Sequence, residues 1–547
     1  TSEVTKYHYK IEEMQHWEQS GYEPSLPITE KSNPITTDID RADPNGIVQM
    51  LEKCDAEMFQ KTYKTINLQK LNSCSVIQTM VDISKKVEMI LKDPENSLIV
   101  LSGCGTSGRV AFLLATSFNR WLAALHENQI YSYIIAGGDK ALLTSQEAPE
   151  DNPSLGALML DKVCSGKKHV LFFGISCGLS APFVAGQLHL CLNNLEVFTP
   201  VLVGFNPVNM ARTELMRDFP SNFRKIAEKM SEMQKHQRAF VLNPAVGPEA
   251  ITGSSRMKGG SATKLMLETV LLAGHEAMYN KTLALIEMNE KVHKVTYSKN
   301  KKLAALVQKA GVSLRGKGHV YYLGWQTLGI IGIIDASECI PTFGADIRGF
   351  ICRGFSEINN KEGDLSSEGL HFSISHKDFV KRILPSLSDN DMVIFLFSVH
   401  DDLNEVSELA KCVGHNTSNI HALIHDLDGH CVPVSKMTGR YNNVCIVLST
   451  QNQHWELSTK WCLNAISTGA HILKGKVYKN YMIDLRVTNS KLYRRAIGML
   501  QVSTQTQSET ALLKSIYYVE ELTEEISSAD VTQHTLTANQ KDQVREH

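Results

Sequence analysis

Short apolar runs come in two matching series along this 547-residue chain, and that recurrence limits the possible folds more than any other feature. Ser97–Ser102, Ile130–Ile135, His169–Phe173 and Val197–Val203 make the first series; His319–Leu323, Met392–Phe397, Ile420–Ile424 and Val444–Leu448 make the second. Each run is near-continuously apolar, as a strand covered on both faces must be, and each leads into a helix-compatible stretch. Alternation of this kind builds a doubly wound parallel sheet. Local echoes tie the series together. Gly103-Cys-Gly-Thr-Ser-Gly108 follows the first strand of one, and Gly324-Trp-Gln-Thr-Leu-Gly329 follows that of the other. Ser261-Ala-Thr-Lys264 and Leu457-Ser-Thr-Lys460 each open a final helix. The fold class expected is therefore α/β: two doubly wound parallel-sheet domains packed as an internal pseudo-dimer, with a helical C-terminal cap. Boundaries are drawn as an N-terminal arm over 1–45, a first domain with leading helices over 46–285, a second domain over 286–499 and the cap over 500–547. The polar sequence at the end carries no stop signal, so the cap need not be complete at His547.

A net charge of −2, from 56 basic and 58 acidic side chains without a basic stripe, gives no field to hold a polyanion. Nucleic acid is not expected as a partner. Neither is a membrane, because no apolar run approaches the roughly 20 residues of a span. Thr1–Glu30 is polar and lacks the plan of a signal peptide. The twelve cysteines stand singly, with no CxxC pair. Disulfide frameworks and zinc sites draw on clustered cysteines, so reduced thiols, an intracellular setting and no metal are expected.

The chemistry concentrates in the loops after the first series of strands. Gly103–Gly108 spells G-x-G-x-x-G between a strand and a helix, which on its own also fits a dinucleotide fingerprint. Thr106 and Ser107 add hydroxyls where free backbone N–H groups and the helix dipole attract an anion, and that suits a phosphomonoester better than a pyrophosphate. The bland reading makes them helix caps. A second loop of the same character, Gly174-Ile-Ser176-Cys177-Gly178-Leu-Ser180-Ala-Pro182, points to one phosphate held by both. Between them the acidic Gln146–Asp151 stretch, with Glu147 and Glu150, reaches the same crevice if it is not merely solvated. His169, in an apolar run, reads as a core residue.

Asn33-Pro-Ile-Thr36, the Gly103–Arg109 loop, the Ile135–Leu142 run and Gly247-Pro-Glu-Ala-Ile-Thr-Gly-Ser-Ser-Arg-Met-Lys258 together resemble the bacterial N-acetylmuramic acid 6-phosphate etherases. Those are similar to one copy. Two copies with a C-terminal extension resemble the glucokinase regulatory protein family, and that resemblance covers nearly the whole chain. It implies two sugar-isomerase-type (SIS) domains, a helical cap and one site for a fructose-phosphate-type ligand. It also implies a non-catalytic protein that inhibits the sugar kinase glucokinase, in cytoplasm and nucleus, without a cofactor. The etherase pattern also carries an Asp-Ala-Ser-Glu turn bearing an acid. The second copy keeps it as Asp335-Ala-Ser-Glu338 but has Leu328 and Ile330 in its phosphate loop; the first keeps the loop but has Ser117 at the acid's position. Leucine cannot bond a phosphate oxygen, and serine is no strong acid or base near neutrality. One hybrid site across the copies follows, if the halves meet.

Etherase-like similarity in Met482–Arg495 adds Lys491, which shares a helical face with Arg495. The sugar-phosphate site expected is thus Thr106, Ser107, Glu150, Ser176, Cys177, Gly178, Ser180, Glu338 and Lys491. An etherase-like lyase using Glu147 or Glu150 with Glu338, a sugar-phosphate isomerase and a dinucleotide enzyme are the competing readings. The long Asp426–Asn442 loop, away from this site, is the candidate surface for the kinase.

Overall fold

The computed structural model describes residues 23–60, 68–216, 218–277, 281–344, 346–426, 444–448, 450, 454–504 and 508–545. The loop expected to face the kinase lies outside these residues from 427 onward.

Two five-stranded parallel sheets carry the fold. In the first, β1 (Ser97–Gly103), β2 (Tyr131–Ile135), β3 (His169–Ile175), β4 (Phe198–Val203) and β5 (Phe240–Leu242) lie in the order β2-β1-β3-β4-β5. In the second, β6 (Val320–Gly324), β7 (Ile347–Ile351), β8 (Met392–Ser398), β9 (Ile420–His425) and β10 (Cys445–Leu448) lie in the order β10-β9-β8-β6-β7, the same topology read from the other edge. Sequence reading missed β5 and β7. The former has three residues, and in the latter Arg348 and Gly349 interrupt the apolar run. His169 stands exposed at the start of β3 and is not a core residue, because only the strand's later positions are covered.

The inner faces of both sheets share a single core. Val110 and Leu114, on the Gly105–Ala124 helix, belong to the same apolar cluster as Ile330 and Ile334 on the Gln326–Phe343 helix and Trp461 on the Trp455–Leu473 helix. The two outer faces have separate cores, one around Phe172 and Phe183 and one around Phe379 and Phe395. The helix Pro44–Ala56 precedes the first sheet yet packs on the second copy's Asn300–Arg315 and Trp455–Leu473 helices. Gly469 is bare there so that Val307 and Ile47 can approach.

Buried polar ties cross the pseudo-dimer. Arg256 Nη1 lies 3.1 Å from Asp335 Oδ1, with side chains 4% and 2% exposed, and its other amine donates to Thr468 at 2.6 Å. Within the first copy Lys258 pairs with Glu57 at 2.5 Å in full burial, while Asn33 Nδ2 of the arm donates to the same Glu57 at 2.7 Å and to the Pro248 carbonyl. The etherase-like Gly247–Lys258 motif and the Asn33–Thr36 motif are thus packed together as the joint of arm and copies. Asp335–Glu338 is helix interior within Gln326–Phe343, not a turn.

The cap has its own small core of Tyr493, Leu512, Leu513 and Ile516, joined by Val487 and Ile497. Its helix Ser490–Thr504 runs continuously across the boundary expected at 499/500. Among the described residues no helix is long and apolar enough to cross a membrane.

Candidate functional site

The order β2-β1-β3 makes a topological switch point between β1 and β3, where open α/β sheets leave a crevice beyond the strand ends. Both hydroxyl-bearing loops emerge there. Gly105 opens its helix at φ +47°, a conformation that favours glycine, and a Cβ on it would stand 3.3 Å from Glu150 Oε1. In the second loop Ser176 Oγ accepts from the N–H groups of Ser180 and Ala181 at 3.0 and 3.2 Å, capping the turn into the Pro182–Asn193 helix. Ser107 Oγ lies 3.5 Å from Cys177 Sγ, so the loops touch.

Ser107, Glu150, Ser176, Cys177, Gly178, Ser180 and Lys491 line one recess. Thr106 and Glu338 do not line it. Glu338, 2% exposed, lies behind the loop with its carboxyl beside the Thr106 hydroxyl and makes no well-formed hydrogen bond. Burial raises its pKa from the ordinary carboxylate value, against the pull of Lys460, Arg109 and Arg256. The acid of copy two therefore meets the loop of copy one, but from beneath.

Sequence reasoning overlooked three further parts of the recess, Thr29 and Glu30 of the arm and Arg212, and also the pair Asn489–Ser490 at the foot of the cap, which holds the acidic loop from outside it. Asn489 Nδ2 donates to Glu147 Oε2 at 2.7 Å, and Ser490 donates to Asp151 through its backbone N–H at 2.8 Å and its hydroxyl at 2.5 Å. The acidic loop thus caps the Ser490–Thr504 helix, where a carboxylate suits the dipole. Lys491, 39% exposed at its side chain, sits 3.3 Å from Glu150. Burial and then Glu147 and Asp151 push the Glu150 carboxyl up, with Lys491 opposing. Arg495, one turn on, makes a two-pronged pair with Glu30 at 3.1 and 2.9 Å and passes over Gly253, where any Cβ would strike its guanidinium. No local signal marks Thr29, Glu30 or Arg212, which reach the recess only through the fold. The recess opens outward into a cleft of about 690 Å³ between arm, first copy and cap.

Chemically, the recess offers two helix N-termini, serine hydroxyls and the cations Lys491, Arg495 and Arg212, with Glu150 to accept from hydroxyl groups. That set suits a phosphate carrying a polyhydroxylated body. Burial raises the Cys177 thiol above its ordinary pKa, so it stays protonated beside them.

Fold and recess define a tandem SIS-domain protein closed by a lid. Family models match in that order: the glucokinase regulatory protein N-terminal SIS domain over residues 82–192, its second SIS domain over 297–474 and its C-terminal lid domain over 479–545. The glucokinase regulatory protein of Xenopus laevis is 49% identical over 98% of this chain and 91% of its own length, and that of Homo sapiens 47% identical over 96% and 88%. The N-acetylmuramic acid 6-phosphate etherase of Erwinia tasmaniensis is 34% identical over 40% of this chain and 71% of its own. The chain belongs to the glucokinase regulatory protein family.

Proposed function

We propose that this chain binds a phosphorylated hexose of the fructose-phosphate type in the recess of the first copy and thereby tunes its inhibition of glucokinase. The observation that carries the reading is the convergence of Ser107, Ser176, Glu150, Lys491 and the arm on one recess. Ligand there touches both the first copy and the lid, so it favours one packing of the two, and only such differential contact shifts a conformational equilibrium. Family membership supports a regulator over a catalyst, as does Ser117 at the position of the etherase acid. Glu338 bears on the loop through Thr106 and acts as a positioning group. We place the protein in cytoplasm and nucleus.

A titration of glucokinase activity with this protein, with and without fructose 1-phosphate and fructose 6-phosphate, tests the reading. Inhibition that shifts with sugar phosphate, while the sugar phosphate is recovered unchanged, is the expected outcome. Inhibition indifferent to both sugar phosphates, or turnover of either, overturns it.

A further inference from the structure

The carboxyl-end crevice of the second copy holds a different chemistry. Trp325 follows β6 directly, Cys352 follows β7 directly, and Glu405 lies in the first turn of the Leu403–Gly414 helix after β8. His376 opens the helix His376–Arg382, which a bridge between Ile351 and Ser375 draws to the end of β7. One ligand atom each from Cys352, His376 and Glu405 falls within 4.8 Å of the others, and Cys352 Sγ is 3.0 Å from Glu405 Oε1.

We propose that this crevice binds a zinc ion through the Cys352 thiolate, the His376 imidazole and the Glu405 carboxylate. Around a tetrahedral zinc, bonds of about 2.0–2.3 Å set ligand atoms on the order of 3.5 Å apart, a modest closure from the observed cluster. Thiolate with imidazole selects a borderline metal over magnesium or calcium, and three protein ligands leave a fourth position for water.

Three observations beyond proximity support the assignment. His376 is only 6% exposed, yet neither ring nitrogen has a well-formed hydrogen bond, with the carbonyls of Phe350 and Gly324 nearby. A carbonyl beside one ring nitrogen is how metal-bound histidines have their tautomer fixed. Trp325 supplies outer support: its indole N–H donates to Glu405 Oε2 at 3.1 Å, and its ring packs at 4.6 Å from that of His376. Cys352 is only half-buried, which leaves a path for the ion. On binding, the Cys352 S–H bond breaks, its proton goes to solvent, and the sulfur's electron pair forms the bond to zinc. Thiolate and carboxylate then balance the charge of the dication.

The test uses the full chain, stripped by chelator and held reduced, with zinc chloride as the titrant against a chromophoric chelator. One zinc per chain is expected, with affinity reduced by at least about tenfold in Cys352→Ser and in Glu405→Gln. Both residues are partly exposed, so the variants should keep the parent's melting temperature without metal. Cobalt loading should give a thiolate charge-transfer band that Cys352→Ser abolishes. Equal zinc stoichiometry and affinity in parent and Cys352→Ser, as binding at exposed Cys74 or Cys412 would give, overturns the site. So does a cobalt spectrum without a Cys352-dependent band.

Discussion

The loop after β1 and the loop after β6 share a backbone and differ in what their amides face. Gly105 has φ +47° and Gln326, at the matching place, φ +49°. In the second copy a carboxylate already rests on the loop: Glu357 accepts from the N–H of Gln326 at 2.5 Å and from that of Arg353 at 2.9 Å. In the first copy the neighbouring carboxylate, Glu150, is engaged by Lys491 and Asn489 of the lid. Duplication thus kept an anion-binding backbone twice. One copy satisfies it with its own side chain, and the other sets it in a recess with hydroxyls and cations. Conformation alone does not make a phosphate site.

The largest break in that contrast should come from Ser107→Glu, which repeats in the first copy what Glu357 does in the second. A carboxylate in the recess repels the phosphate, and sugar-phosphate affinity measured by calorimetry should fall by more than about a hundredfold, or 2.7 kcal/mol. Affinity within tenfold of the parent's would place the phosphate elsewhere. Comparable in size, and read in stability instead of affinity, is the effect of Arg256→Met, which leaves Asp335 buried without its cation between the copies. Breaking such a pair costs about 3–5 kcal/mol, readable as a lowered denaturant midpoint. A cost below about 1 kcal/mol would show that the pair does not hold the copies together.

Asp55 sharpens the comparison through pH. Burial raises its carboxyl to about 6, although Tyr297 donates to it at 2.7 Å. The native state then keeps a proton that the unfolded chain releases, so this contribution is whole below about pH 4 and is lost as pH rises through 6. Its size is on the order of 2–3 kcal/mol. Melting temperature should decline across that window in the parent, and Asp55→Asn should flatten the decline; identical slopes would discard the assignment. The smallest effect is expected of Leu328→Ser. Restoring one hydroxyl leaves Glu357 on the loop, so calorimetry should still count one sugar-phosphate site per chain. A second site appearing in this variant would mean that side-chain loss alone silenced the copy.

The sheets were legible because strands buried on both faces must be continuously apolar, and β5 and β7 escaped where length or an arginine broke that rule. The loops of the recess were legible because glycine and serine cluster between strand and helix. Glu338 was expected in the recess but lies behind the loop of the other copy, and that depth was not readable: a helix position does not reveal whether a side chain lines a recess or lies behind it. The ligand set of Cys352, His376 and Glu405 left no mark at all, since the three residues lie in separate stretches of the chain and no spacing joins them.

The berth of the Pro44–Ala56 helix has a consequence for how the chain is made. Its neighbours, Asn300–Arg315 and Trp455–Leu473, are among the later parts to leave the ribosome. At about 5–20 residues per second, the helix waits roughly 20–80 s for its partners. During that interval Ile47, Val48 and Leu51, fully covered in the finished molecule, face water or whatever shelters nascent chains. Translation speed through the second copy therefore sets how long an apolar face near the amino end goes unclaimed.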